Sequence, residues 1–213
     1  MRKIAIITIV VLGFNIAQVS AQGIKDFINE RLSFGLKLEG NGTTFLLSDM
    51  PETKSEVSFG GAFGGFLKID LSEHFAIQED ILCSYFSSYF EQNGIKDTYE
   101  YFGMEVPIYL MGQRKTMSGG RFYCGVGPYF GMGFLAKLKE KDINLYKKYN
   151  GSDPFIKRMT FGGAVQVGYE LVNGLQVNAS YKIGTNILDA QKGVSSMLPS
   201  TVSLGIGYRF LCF

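Results

Sequence analysis

The 213-residue chain has no tryptophan and a single histidine. Any Ser-His-Asp arrangement would therefore have to use His74, the one imidazole available. Three cysteines, Cys83, Cys124 and Cys212, are too few and too odd in number for a disulfide framework, and no C-x-x-C occurs. Apart from the N-terminus, no apolar run approaches the ~20 residues that a membrane-spanning helix needs. Charge of one sign is missing too. Once the two basic residues of the N-terminal segment are set aside, 19 Lys and Arg face 19 Asp and Glu. No basic patch stands out, which argues against nucleic acid as a partner.

The N-terminal segment "MRKIAIITIVVLGFNIAQVSAQG" reads as an export signal. Arg2 and Lys3 form its positive end and residues 4–14 its apolar core. Val19, Ser20 and Ala21 set small residues for cleavage before Gln22, so residues 1–21 are expected to be removed. A single membrane anchor is the alternative, but the core is short for a span. No Cys follows the core, which argues against a lipoprotein. Residues 22–31 then form a periplasmic leader. In "QGIKDFINER", Ile24, Phe27, Ile28 and Leu32 fall at helical spacing, and the stretch equally suits an extended leader.

What the chain has in quantity is glycine, 27 residues, and aromatics, 14%. They are arranged with period 2. In "SFGGAFGGFLKID", Phe59, Phe63, Leu67 and Ile69 share one face; Gly60, Ala62, Gly64, Lys68 and Asp70 share the other, with Phe66 as an exception. In "LQVNASYKIG", Leu175, Val177, Ala179, Tyr181 and Ile183 alternate with Gln176, Asn178, Ser180, Lys182 and Gly184. Near the C-terminus, Val202, Leu204, Ile206, Tyr208 and Phe210 oppose Ser203, Gly205, Gly207 and Arg209.

Eight such segments are expected, at 32–40, 58–70, 75–90, 99–111, 121–138, 158–171, 175–186 and 200–212. Each is near or above the ~9–11 residues of a tilted bilayer-crossing strand. The connections at 41–57, 91–98, 139–157 and 187–199 are long and polar; those at 71–74, 112–120 and 172–174 are mostly shorter. "LVNGL" sets Asn-Gly between two alternating runs, a hairpin signal. Long loops on one side and short turns on the other fit an all-β, eight-stranded antiparallel up-and-down transmembrane β-barrel, occupying residues 32–213. A soluble lipocalin-like barrel has the same strand count but reversed faces. Here the polar face carries Gly with Lys, Arg, Asp, Glu, Gln and Asn, which suits a narrow hydrated lumen. The other face is Phe, Leu, Ile, Val and Tyr, an aggregation hazard in water and at home in lipid.

These segments resemble the PorT-like outer-membrane β-barrel family. The resemblance runs through "LSFGLKLEGN", "FGGAFGGFLKIDLSEHFAIQEDILCSY", "YFGMEVPIYL", "YCGVGPYFG" and "FGGAVQVGYELVNGLQVNASYKIG", in that order. It implies an eight-stranded outer-membrane barrel and, through the founding member, a link to type IX protein secretion. Many relatives have no assigned role. The long stretch 139–157 matches no family motif.

On parity, Asp80 and Glu105 point into the lumen from neighbouring strands. Paired carboxylates can do acid/base work. In a small barrel they more often pair with interior cations, and Lys37, Lys68, Lys182 and Arg209 share the lumen parity. An ion-pair core is therefore expected, with no catalytic residue and no cofactor or metal. Glu79 falls on the outward parity, which only a rim or a bulge would explain. His74, in "DLSEHF", is expected to be a solvated turn residue at the periplasmic end. "GVGPYFG" mimics a nucleotide loop, but strand follows it rather than helix. Its glycines instead leave room beside Tyr123 and Tyr129. Eight strands leave an interior just wide enough for side chains, so an open pore is not expected.

Tyr85, Tyr89, Tyr101, Tyr169, Tyr181, Phe90, Phe122 and Phe210 are candidates for the aromatic belt. The final strand ends in aromatics that resemble the signal read by the barrel-insertion machinery, with Tyr208, Phe210 and Phe213 as candidates. The functional expectation is a non-enzymatic bacterial outer-membrane protein that touches lipid. Its role would be interaction or envelope structure, with envelope or secretion proteins meeting the 139–157 loop. Accessory work in type IX secretion is the sharper form; a narrow channel or small-ligand transport barrel is the alternative.

Overall fold

The computed structural model describes residues 31–48, 53–55, 57–92, 95–138, 143–147, 156–185, 187–188 and 196–210. The signal segment, leader residues 22–30, Cys212 and Phe213 lie outside the described residues. Ten strands follow in order: β1 (Leu32–Ser48), β2 (Thr53–Ser55), β3 (Ser58–Asp70), β4 (Phe75–Gln92), β5 (Ile95–Lys115), β6 (Arg121–Leu138), β7 (Ile143–Asn144), β8 (Met159–Glu170), β9 (Leu175–Gly184) and β10 (Ser196–Phe210). The eight long ones pair antiparallel with their chain neighbours, and β1 closes on β10. The short β2 and β7 add to β4 and β6.

The register fixes the barrel's size. A walk from Leu32 passes through Ile69, Ile77, Leu110, Val126, Val165, Tyr181 and Val202 and re-enters β1 at Gly42, ten residues further on. With eight strands, a shear of ten, ~4.8 Å between strands and ~3.3 Å per residue, the tilt is about 40° and the radius about 8 Å. That interior is filled by side chains. Seven of the eight residues met first on this walk are aliphatic and the eighth is tyrosine, so the row is one turn of the apolar belt.

Which face points where is decided by burial. Lys68 and Asp80 are 0% exposed, while Phe59 is 85% and Leu204 69% exposed. Polar inside and apolar outside is the membrane arrangement, which sets aside the lipocalin alternative. Cys83 and Cys124 sit on the exposed face. Phe66, the exception in β3, is lumenal at 2% exposure. Its ring lies where a Cβ on Gly35 would be, so a large residue on one strand fills the gap left by a small one on the next.

The strands run further than expected at their outer ends. β1 continues to Ser48, and β10 starts at Ser196. The stretch 91–98, read from sequence as a long polar loop, is instead mostly strand. β4 and β5 reach Gln92 and Ile95 and pair to their tips. These 18- and 21-residue strands exceed a bilayer crossing. Beyond the lipid, nothing imposes apolar alternation, so polarity there mimics a loop. The inner turns are short. At 171–174, Gly174 takes φ 87°, and its N–H donates to the Leu171 carbonyl.

A single bulge redirects β6 near its outer end. Phe102 pairs with Leu135 but Gly103 with Gly133, so Phe134 is an extra residue in β6. Past it the parity flips: Ala136 turns inward, 0% exposed, and Lys137 takes the outer face.

Candidate functional site: the charged lumen

Halfway up the barrel, five charged side chains form a chain across the lumen. Lys37 Nζ lies 2.6 Å from Asp80 Oδ2 and 3.0 Å from Glu39. Lys182 Nζ lies 3.5 Å from Glu39 and 2.5 Å from Glu105. Glu39 thus bridges two lysines, each of which also has a carboxylate of its own. Lys37 also donates to Gln166 at 2.7 Å, and Gln78 donates to Asp80 at 2.7 Å. Tyr129 donates to Glu105 at 3.3 Å. The strands involved are β1, β4, β5, β6, β8 and β9, so the network ties opposite walls together. Taking charges out of water costs several kcal/mol per ion, and paired, hydrogen-bonded geometry offsets that.

A second cluster closes the inner end. Arg209 donates to Glu170 at 2.6 Å, and Gln176 donates to the same carboxylate at 2.8 Å. Arg121 reaches Asp70 at 3.2 Å, and Gln113 donates to Asp70 at 2.8 Å. Lys68 is held more loosely, 3.7 Å from Asp70 and 3.9 Å from Glu170. Three carboxylates meet two lysines in the middle and two carboxylates meet three cations below, so the lumen as a whole is balanced.

The outer end is shut by apolar packing. Phe45, Phe86, Tyr99, Ala136, Tyr146 and Ile156 form one buried cluster with Ile187 and Met197. Tyr99 meets Phe45 edge-on, and Tyr101 stacks on Phe86 at 4.7 Å. Tyr146 comes from the turn after β7 and presses into the space above Gly133. Burial pushes its phenol up to about 12, against the pull of the Arg158 guanidinium stacked 4.9 Å from its ring centre. Between this plug and Glu105 lies a cavity of about 30 Å³, enough for a water or two.

All six lumen candidates read from sequence, Asp80, Glu105, Lys37, Lys68, Lys182 and Arg209, face inward. The structure does not join Asp80 to Glu105; each goes to its own lysine. Sequence reading missed Glu39, Glu170 and Arg121 as members of these networks. Parity would have found them, since Glu39 is two residues past Lys37 and Arg121 two before Tyr123. Tyr101, expected in the lipid-facing belt, turns inward instead, because odd positions of β5 face the lumen. Tyr85, Phe122 and Tyr181 are exposed outward. Tyr208 is outward at 44% exposure, and Phe210 packs its ring 5.2 Å from Phe34 across the β1–β10 seam. Glu79 is neither at a rim nor in a bulge. It pairs with Leu67 and Ile108 within the apolar band, and no hydrogen bond or ion pair reaches it among the described residues. His74 is exposed in the 71–74 turn, its carbonyl accepting from Gln113 N–H. Among the described residues no set of His, Cys, Asp and Glu converges as a metal site.

A family model described as outer membrane protein beta-barrel domain matches residues 7–210. No curated protein matches the chain. Among solved structures, OprG from Pseudomonas aeruginosa is similar over 84% of this chain and 97% of its own, at 14% identity and a TM-score of 0.52. Neisserial surface protein A is similar over 85% of this chain and 100% of its own, at 12% identity and a TM-score of 0.48. At such identities the likeness to OprG speaks to the fold alone.

Proposed function

Because the chain belongs to the outer membrane protein beta-barrel domain family, we propose that it works in the bacterial outer membrane without catalysis, supporting protein–protein interaction or envelope integrity. One observation carries this reading: the lumen is blocked at three levels among the described residues. Ion pairs bridge its walls at two levels, and the aromatic plug covers the outer mouth. A barrel filled this way offers its surfaces rather than its interior. Export with cleavage of residues 1–21 and insertion through an aromatic C-terminal strand belong to the same proposal.

The channel alternative requires these networks to come apart. Purified protein in a planar bilayer is expected to stay silent at all voltages; reproducible conductance steps would overturn the interaction reading. The finer reading is an accessory role in type IX secretion, with the 139–157 loop as the partner surface. The loop, which matches no family motif, is offered for its mix of Lys, Asp and Tyr; resemblance to the PorT-like family alone supports the secretion role. Deleting the gene and profiling secreted proteins tests it, and an unchanged secretome would remove it.

A further inference from the structure

The outer connections are not alike in charge. Residues 139–158 carry Lys139, Lys141, Lys147, Lys148, Lys157 and Arg158 against Glu140, Asp142 and Asp153. The 49–57 connection is the reverse, with Asp49, Glu52 and Glu56 against Lys54. The neutral total of the chain conceals this asymmetry.

Among the described residues, Lys147, Lys157 and Arg158 are exposed, and Lys137 takes the outer face past the Phe134 bulge. None of the four forms an ion pair among the described residues, and one acid, Glu100, stands opposite Lys137 in the β5–β6 ladder. The fold sets their backbones along one rim, with Lys157 N–H donating to the Ile187 carbonyl at 2.7 Å. Lys137 pairs with Asn144 in the β6–β7 ladder. Lys147 N–H donates to the Asn144 carbonyl, and Gly133 N–H donates to the Arg158 carbonyl at 2.7 Å. Arg158 is fixed by its stack on Tyr146, which the plug holds in place. An arginine held on a ring and lacking an anion among the described residues is already arranged to receive one.

Their height is also set. Arg158 directly precedes Met159, which is 53% exposed on the outward face of β8. Lys137 comes after Phe134, 43% exposed on the same side. The cations therefore begin where the apolar band ends, at the level of lipid headgroups, and long basic side chains reach such groups readily.

We propose that the β6–β8 rim, through Lys137, Lys147, Lys157 and Arg158, binds the phosphate groups of outer-leaflet lipid headgroups. This rests on the outer-membrane placement with long connections outward, and not on the interaction role. A conducting barrel would defeat that role and leave this site standing.

The test is titration of the detergent-solubilised full chain with short-chain phosphatidic acid, read as lipid adducts by native mass spectrometry. Phosphatidylcholine of the same chains and inorganic phosphate are run in parallel. Phosphatidic acid is expected to bind in preference to both, and more weakly as salt rises. The K147E/K157E/R158E variant is expected to lose about a hundredfold in affinity, since each cation near an anionic lipid surface is worth about fivefold. Its heat-induced gel shift should be unchanged. Should that variant not fold, R158E alone is expected to lose about fivefold. Equal binding of the two lipids, equal binding of free phosphate, or charge reversal without effect in a folded variant would overturn the proposal.

Discussion

Lys37 reaches from β1 to Asp80 on β4, 2.6 Å away, although β3 separates the two strands in the sheet. The same ammonium bonds Gln166 on β8, so one side chain ties three walls together. Replacing Lys37 with Met would leave Glu39, Asp80 and Glu105 sharing only Lys182. Breaking such a buried network is expected to cost about 3–5 kcal/mol. The urea midpoint for unfolding from lipid vesicles should fall accordingly. Adding Asp80→Leu removes the stranded carboxylate and should recover most of the loss. A double variant as weak as the single one would show that Asp80 is not the group Lys37 holds.

Lys68 is equally buried but differently placed. Its nearest carboxylate oxygens lie at 3.7 and 3.9 Å, and both acids keep closer partners in Arg121, Gln113, Arg209 and Gln176. Lys68→Met therefore strands nothing. It is expected to change stability by about 1 kcal/mol or less, in contrast to Lys37→Met. Equal losses in the two variants would mean that burial, rather than partner loss, sets the cost.

The contrast between these lysines marks where sequence reading stops. Period-2 alternation placed Lys37, Lys68, Asp80 and Glu105 inside, because within the bilayer every second residue must meet lipid. It could not say that Lys37 would be closely held and Lys68 loosely. That depends on the shear of ten, which sets the relative heights of residues on distant strands. Past the bilayer the alternation has no lipid to enforce it. Hence the β4–β5 tip reads as a loop, and Phe45, Tyr146 and Ile187 give no hint of a plug; Tyr101, by contrast, keeps the inward parity of Glu105, which outweighs its suitability for the belt. Their burial comes from strands and connections folding over the mouth.

Gly133 and Tyr146 offer a test of that plug. A Cβ at Gly133 would collide with the Tyr146 phenol. Gly133→Ala is expected to displace the ring at a cost of about 1–3 kcal/mol, typical of overpacking. The 143–147 turn should then be cut faster by added protease, while the heat-induced gel shift is kept. Removing the obstruction with Tyr146→Ala should make Gly133→Ala nearly neutral in that background. If Gly133→Ala costs the same with and without the Tyr146 ring, the two residues are not coupled.

Glu79 is the ionisable residue that the barrel plan does not use. It stands outward on β4 between Leu67 and Ile108, and Ile77 and Ile81 lie on either side along its own strand. No described side chain satisfies its carboxylate, so its hydration is lost without replacement. Charged groups on the lipid face of a barrel are destabilising in a depth-dependent way, with acidic ones less costly than the ~2–4 kcal/mol of basic ones. Glu79→Leu should thus raise the urea midpoint in vesicles by an equivalent of about 1–2 kcal/mol, and Glu79→Gln by less. Because Glu79 faces lipid while its chain neighbours Gln78 and Asp80 face the lumen, and it shares no partner with Lys37, the gain should add to the loss in Lys37→Met rather than depend on it. A Glu79→Leu variant no more stable than the parent would mean that the carboxylate is already satisfied, by water drawn into the bilayer or by a lipid headgroup bent toward it.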